Sequence, residues 1–225
     1  MDGFGEFGGL GQPRSGRNKQ PLDDTANYTS RIEAAKQIEL EIRDRLATEL
    51  GWQTIDATED QDKYDGIDGW ITNQDGKGVH IPFQIKARKN SSGNDILWEA
   101  IKPWKISLVD NFEDLGNDVF SGKDMKCKSE YLISANNIGN TIRIRNVSEV
   151  MAKAKKLTEA LVQNYRATGN TFAKTQDGEA RVVKDPSQQA NFHMRGNIFK
   201  INCFISPHEF EWKQDVNLKN PISLI

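Results

Sequence analysis

The amino-acid sequence predicts a single α/β domain that begins near residue 25 and ends in an extension of strands at the C-terminus. Two segments repeat their apolar residues at helical spacing, which indicates amphipathic helices. Several shorter segments alternate apolar and polar residues, as half-buried β-strands do. In chain order they give a helix, three or more strands, a second helix and further strands. The 225 residues are enough for one sizeable domain or two small ones, and this order favours one.

The chain opens with a segment of different composition. Residues 1–24 are rich in Gly, Pro and polar residues and cannot bury a core, so they predict a disordered leader. A helix is expected next, because Ser30 and Glu33 have the spacing of a capping box and Gly51 stands where a helix would end. The apolar stripe of this helix is formed by Ile32, Ala35, Ile38, Ile42, Leu46 and Leu50.

Glu39 interrupts this apolar stripe. A carboxylate in such a place costs free energy unless a metal, a cation or a hydrogen-bond network compensates it. Glu39 is therefore a candidate site residue, with a partly exposed helix edge or a structural salt bridge as the alternatives.

A β-hairpin is predicted after the helix and an acidic segment. The stretch "GIDGWI" indicates one strand, "NQDGKG" a turn and "VHIPFQIKAR" the returning strand. In the returning strand, Phe83 and Ile85 share one face, and Gln84 and Lys86 share the other. The question is whether the polar face is an ordinary solvated surface or a reaction centre.

The second half of the chain predicts the remaining elements. Strands are expected at "DILWEAI", "SEYLISA", "TIRIRNV", "EARVVK" and "NIFKINCFIS". A second helix is expected over residues 147–165, with Asn146 and Glu149 spaced as in a capping box. Lys153 falls largely off the apolar stripe of this helix.

These elements can bring four polar groups to one point. Asp68 starts the first hairpin strand, and Gln84 follows by sixteen residues, enough for a strand, a turn and the returning strand. A helix packed on the face of Gln84 and Lys86 would add Glu39. Mg²⁺ prefers oxygen ligands and activates bound water, and a nearby Lys stabilises charge on phosphorus, so the set suits phosphodiester hydrolysis. The alternative for Asp68 is a turn residue.

The stretches "IDGWI" and "IPFQIKAR" resemble the core of the PD-(D/E)xK nuclease superfamily, which has the restriction-endonuclease-like fold. The motif of that family is an Asp at the start of one hairpin strand and Glu-x-Lys on the next, often with a Glu on the preceding helix. The resemblance covers roughly residues 30–88. It implies an α-β-β-β-α-β core with a central mixed sheet flanked by helices.

The resemblance also implies roles for individual residues. Asp68 would be the metal-binding Asp, Lys86 the catalytic Lys and Glu39 the helix carboxylate. Gln84 takes the place of the usual acid, and the backbone carbonyl of Ile85 would be a further ligand. The implied cofactor is Mg²⁺ or Mn²⁺.

The Gln at position 84 departs from the family motif in charge. A unit charge near contact is worth several kcal/mol, even at an effective dielectric constant of about 20. We expect Glu39 to supply the charge that Gln84 lacks; weak metal binding and an inactive site are the alternatives.

Basic residues near these strands predict contacts to DNA. Residues 76–105 hold six bases against two acids, and Lys77, Arg88 and Lys89 are the candidates there. Arg143 and Arg145 form a second candidate patch. For both groups the alternative is a solvated face. The net charge of −2 gives no global attraction to nucleic acid, which favours a site- or structure-specific enzyme.

The expected function is therefore a Mg²⁺-dependent DNA endonuclease of a restriction, homing or junction type. The alternatives are a catalytically inactive DNA-binding module of the same fold, or a structural or interaction protein. A homodimer would bring two sites to the two strands of DNA. Two cysteines, no signal region and no apolar run long enough to cross a bilayer predict a cytoplasmic protein without a membrane partner. The Gly-rich leader and compact size suit a phage or mobile-element protein.

Overall fold

The computed structural model of the protein covers most of the predicted domain. Residues 1–23 of the predicted leader, Lys77, Lys89 and the side chain of Arg88 lie outside what the structure describes. The described residues are 24–72, 78, 80–88, 96–105, 124–136, 141–184 and 198–219.

The described part of the chain contains two α-helices and ten β-strands. The helices are α1 (Asp24–Leu50) and α2 (Val147–Thr168). The strands are β1 (Gln53–Asp56), β2 (Gly69–Thr72), β3 (Ile81–Arg88), β4 (Ile96–Lys105), β5 (Tyr131–Asn136), β6 (Thr141–Asn146), β7 (Phe172–Thr175), β8 (Gly178–Lys184), β9 (Ile198–Ile205) and β10 (Lys213–Asn217).

The strands form two sheets. The large sheet has six strands in the order β1-β2-β3-β5-β6-β10; β5 joins β3 in parallel and all other neighbours are antiparallel. The second sheet is antiparallel, in the order β4-β9-β8-β7. The predicted α/β class and mixed sheet are therefore confirmed. The α-β-β-β-α-β order is not confirmed, because six described strands separate α1 from α2.

Local patterns locate the expected elements well. The hairpin β2–β3 and the strands β4, β5, β6, β8 and β9 coincide with the predicted segments. The strands β1, β7 and β10 have no predicted counterpart, because they are four or five residues long and hold few apolar side chains. Their place is fixed by pairing with neighbouring strands rather than by local periodicity.

The helix ends agree with the sequence in part. The α1 helix begins at Asp24, so Ser30 lies inside it and the predicted capping box is wrong. Gly51, with φ of 68°, follows the last residue of α1 as expected. Asn146 caps α2, because its side chain accepts a hydrogen bond from the Ser148 N–H at 2.9 Å. No helix among the described residues combines the length and apolar character that a membrane crossing requires.

The large sheet buries its two faces in two different apolar cores. On one face Ile42 and Leu46 of α1 pack with Phe83 and Ile85 of β3. On the other face Leu132 of β5 packs with α2 and the second sheet. Alternate residues of each central strand therefore face α1 or the second sheet.

Gly69 sets the close packing at the start of β2. A Cβ atom there would lie 2.6 Å from Cζ of Phe83 and 2.8 Å from the carbonyl oxygen of Ile55, much closer than van der Waals contact allows. Since glycine has no side chain, the Phe83 ring fills this space directly beside Asp68.

Candidate active site

Asp68 lies immediately before β2 and is held from three sides. Its N–H donates to the Phe83 carbonyl at 2.9 Å, and its Oδ2 accepts the Ile85 N–H at 2.6 Å. Its own carbonyl accepts a hydrogen bond from Nη2 of Arg43 at 2.7 Å. The carboxylate is therefore fixed against the backbone of β3 at the point where β2 begins.

Glu39 lies on α1 and is partly buried. Burial is the main cause that raises its pKa above the ordinary value of 4.5, and the negative charge of Asp68 is the second. The positive charge of Arg43 opposes this effect in part. The negative charge of Asp68 thus reaches Glu39 and disfavours its ionised form.

Gln84 lies next to Asp68 and is only 5% exposed. In the antiparallel pair of β2 and β3, Gly69 is the partner of Phe83, so Asp68 and Gln84 occupy the next opposed positions. The Oε1 atom of Gln84 is buried and has no hydrogen-bond partner among the described residues. A buried polar oxygen without a partner costs about 1–3 kcal/mol, which a ligand cation could recover.

The backbone of Ile85 also faces Asp68. Its N–H donates to the Asp68 carboxylate, and the N–H and C=O of one strand residue point towards the same edge. The carbonyl oxygen of Ile85 is therefore directed to the side of β3 on which Asp68 lies, as the ligand role requires.

The position of α1 differs from the expectation. The sequence predicts a helix on the face of Gln84 and Lys86, but α1 packs against Phe83 and Ile85 on the opposite face. The physical reason is that the apolar stripe of α1 buries itself against the apolar residues of β3. Glu39 consequently approaches Asp68 from one face of the sheet, while Gln84 and Lys86 belong to the other.

Lys86 is not beside the two carboxylates but is paired with a residue that the sequence does not single out. Its Nζ donates to Oδ1 of Asp124 at 2.5 Å and lies 5.5 Å from the centre of the Trp98 ring. Asp124 is 4% exposed, and its Oδ2 accepts the Glu99 N–H at 2.7 Å. The pair lines a cleft of about 250 Å³ between β3 and the second sheet, together with Leu97, Lys200 and Asn202.

Sequence reasoning misses two residues of this region. Arg43 follows Glu39 by four residues, so the two lie on one face of α1, and this spacing could have revealed the cation. Asp124 has no comparable signal, because it lies 38 residues from Lys86 in a stretch without periodicity.

The residue types fit a hard divalent ion. No three Asp, Glu, His or Cys side chains gather as a metal site in the described ranges. The set predicted from the sequence has only two such groups, Glu39 and Asp68, and its remaining oxygen donors would be the Gln84 amide and the Ile85 carbonyl. The repulsion between the carboxylates and the unpaired Gln84 oxygen are both features that a cation would relieve.

The two arginines predicted to contact DNA have different environments. The expectation that Arg145 is a surface cation is wrong: it is 1% exposed, and its Nη2 donates to Asp215 at 2.8 Å and to the Pro207 carbonyl at 3.1 Å. Arg143 is half-buried, and register through Ser134 places it on the same face of the large sheet as Lys86. Burial lowers the pKa of Arg143, with a contribution from Arg145 that Asp215 opposes.

Comparison with known proteins gives no relative from which a role could be transferred. No protein-family model, no curated protein and no solved structure matches the chain.

Proposed function

We propose that the protein is a divalent-metal-dependent DNA endonuclease that hydrolyses phosphodiester bonds in a site- or structure-specific manner. The observation that carries the proposal is the unpaired, buried Oε1 of Gln84 at the position opposite Asp68. The charge of Asp68 in turn raises the pKa of Glu39 on α1. These three oxygen donors, with the Ile85 carbonyl, are what Mg²⁺ or Mn²⁺ prefers. Asp68 lies opposite Gln84 across the β2–β3 pair, and Glu39 would complete the ligand set from the α1 side of the sheet.

The proposed roles combine the positions of these groups with the resemblance to the nuclease motif. Asp68, Glu39, Gln84 and the Ile85 carbonyl would hold the ion. When bound, Mg²⁺ polarises a phosphoryl oxygen and lowers the pKa of a coordinated water. The ammonium group of Lys86 stabilises negative charge that develops on the phosphate as water attacks.

Arg43 supports this arrangement from the helix side. Its guanidinium binds the Asp68 carbonyl and the Asp56 carboxylate, and its positive charge opposes the rise in the pKa of Glu39. The cation therefore holds Asp68 in place and keeps the neighbouring carboxylate easier to ionise.

The direct test is cleavage of supercoiled plasmid with Mg²⁺ or Mn²⁺. We expect nicking or linearisation by the wild type, and at least about 100-fold less by Asp68→Ala and Lys86→Ala. Lys174→Ala, a change on an exposed lysine of β7, serves as the control for general loss of charge. Branched and single-stranded DNA should be included, and no divalent-dependent cleavage of any substrate would refute the proposal.

A second candidate function is an inactive DNA-binding module of the same fold. The observation that favours it is that Gln84 lacks the charge of an acid and that Lys86 is already paired with Asp124. It predicts salt-sensitive DNA binding that persists without cleavage. A purely structural protein would show neither this binding nor a divalent-dependent rise in Tm.

A further inference from the structure

We propose that Asp124 is the positioning residue of Lys86, holding its ammonium group at the floor of the cleft where a substrate phosphate binds. The inference rests on the proposed nuclease function and names a group that the nuclease motif does not contain. It is carried by the contacts of Asp124, by the anchoring of its turn and by the surroundings of Lys86.

The Asp124 carboxylate is itself fixed. One oxygen accepts the Lys86 ammonium at 2.5 Å, and the other accepts the Glu99 N–H of β4 at 2.7 Å. Only 4% of Asp124 is exposed. A carboxylate with both oxygens engaged and almost no contact with water has one orientation, so it defines where the ammonium lies.

The turn that carries Asp124 is anchored to the segment before Asp68. This turn is a short 3₁₀ helix, Asp124–Lys126. The Ser129 hydroxyl donates to the Gly66 carbonyl at 2.9 Å, and the Lys128 N–H donates to the Asp65 carbonyl at 2.7 Å. The positions of Asp124 and Asp68 are therefore coupled through a few residues of backbone.

Lys86 needs such a support because its side chain is long and flexible. A free lysine side chain loses up to about 2 kcal/mol of rotamer entropy when one position is imposed on it. Asp124 takes one of the three N–H groups, and the fully buried Trp98 ring lies 5.5 Å away on another side. The cleft lies on a further side, so the remaining donors can meet the oxygens of a phosphodiester.

The chain contains a matched control for this contact. Lys153 of α2 and Asp177 form a second buried pair at 2.7 Å, and Lys153 also lies near an aromatic ring, 5.2 Å from the centre of Phe210. Asp124→Asn and Asp177→Asn therefore remove the same charge from the same kind of pair. They differ in which lysine is released.

The test compares kcat and KM of Mg²⁺-dependent DNA cleavage for these variants, on protein whose folding is checked by circular dichroism and thermal melting. We expect Asp124→Asn to lower kcat by about 100-fold with little change in KM, because the reacting group loses its position. Asp124→Glu, which keeps the charge, should recover part of the loss. Asp177→Asn should lower Tm and leave kcat per folded molecule unchanged. A wild-type kcat in Asp124→Asn, or an equal loss in Asp177→Asn, overturns the proposal.

A second readout separates this proposal from the proposed function. The rate at which an amine reagent modifies Lys86, followed by mass spectrometry, should rise in Asp124→Asn and stay unchanged in Asp177→Asn. An unchanged rate means that Asp124 does not hold Lys86, whatever the enzyme activity. If the rate rises but the wild type cleaves no DNA, the nuclease function fails and with it the catalytic purpose of the contact. If Asp124→Asn does not fold, the modification rate of Lys86 is measured in Asp124→Glu. It should lie above the wild-type rate because the longer side chain restores the contact only in part, and a wild-type rate there overturns the proposal.

Discussion

The pairs Lys86–Asp124 and Lys153–Asp177 are nearly the same interaction in two different settings, with 24% of the Lys86 side chain exposed and 11% of the Lys153 side chain. Nζ–Oδ1 distances are 2.5 Å in Lys86–Asp124 and 2.7 Å in Lys153–Asp177, and each lysine lies near an aromatic ring. Both pairs also line clefts, of about 250 Å³ and about 580 Å³. A buried ion pair at a cleft is therefore not in itself a sign of chemistry.

What distinguishes the first pair is its neighbourhood. Lys86 shares a strand face with Gln84, whose Oε1 is the one buried side-chain oxygen without a partner in the described part of the chain. On the same strand, the backbone of Ile85 holds a carboxylate that raises the pKa of a second one. A buried oxygen without a partner and two carboxylates that repel each other both destabilise the folded protein. A bound cation would relieve both effects, so such a place is a candidate binding site. In the proposed nuclease Lys86 would therefore act on the substrate, whereas Lys153 would contribute only to stability.

The largest expected difference is between Lys86→Met and Lys153→Met. Both changes leave a buried carboxylate without its partner, so each should lower the free energy of unfolding by about 3 kcal/mol. Only Lys86→Met should also lower kcat for Mg²⁺-dependent cleavage, by about 100-fold, because in the proposed nuclease only Lys86 would meet the substrate phosphate. Urea titrations and cleavage rates on the folded protein measure the two effects. Equal losses of kcat would remove the distinction between the pairs.

The next effect concerns the charge at the metal ligands. If Glu39 carries the charge that Gln84 lacks, Glu39→Gln should abolish most activity, with a loss of about 10- to 100-fold in metal affinity or rate. Gln84→Glu should be tolerated. Mg²⁺ titrations of the cleavage rate measure both changes, and the reverse pattern would mean that Glu39 is not a ligand.

The two arginines of β6 provide a smaller contrast. Arg145→Met should lower the free energy of unfolding by about 2 kcal/mol, because it removes a fully buried guanidinium from Asp215 and from backbone carbonyls. Arg143→Met should have little effect on unfolding and should reduce the salt dependence of DNA binding by about one phosphate contact. Salt titrations of DNA affinity measure the change in salt dependence expected for Arg143→Met. An Arg143 variant with unchanged salt dependence would exclude this residue from the interface.

The sequence predicts local structure better than it predicts which elements meet. Helical stripes and alternation are properties of consecutive residues, so they locate α2, the β2–β3 hairpin and the shared face of Gln84 and Lys86. The partner of Lys86 is a contact between residues 38 positions apart, and no periodic pattern encodes it.

Burial of charged residues is the second feature that the sequence hides. Arg145 alternates with apolar residues as an exposed side chain would, but Asp215 and the Pro207 carbonyl, more than 60 residues later, enclose it. Lys153 likewise falls off the apolar stripe of α2 and is buried by Asp177. The sequence also does not reveal which face of the sheet α1 covers, because that depends on which apolar surfaces meet after the strands have paired.

The smallest predicted effect is the pH dependence of stability that Glu39 introduces. Because the folded protein raises the pKa of Glu39 above 4.5, folding favours its protonated form. The folded state then binds more protons than the unfolded state, so the stability from neutral Glu39 is present in acid and is lost as pH rises through the raised pKa. Glu39→Gln imitates the neutral form and should gain Tm relative to the wild type between about pH 4 and about pH 7. Divalent ions require the ionised carboxylate, so excess Mg²⁺ near neutral pH should raise the Tm of the wild type and not that of Glu39→Gln. If the Tm difference between the two proteins changes neither with pH nor with Mg²⁺, the charge of Asp68 does not affect Glu39 and Glu39 does not bind the ion.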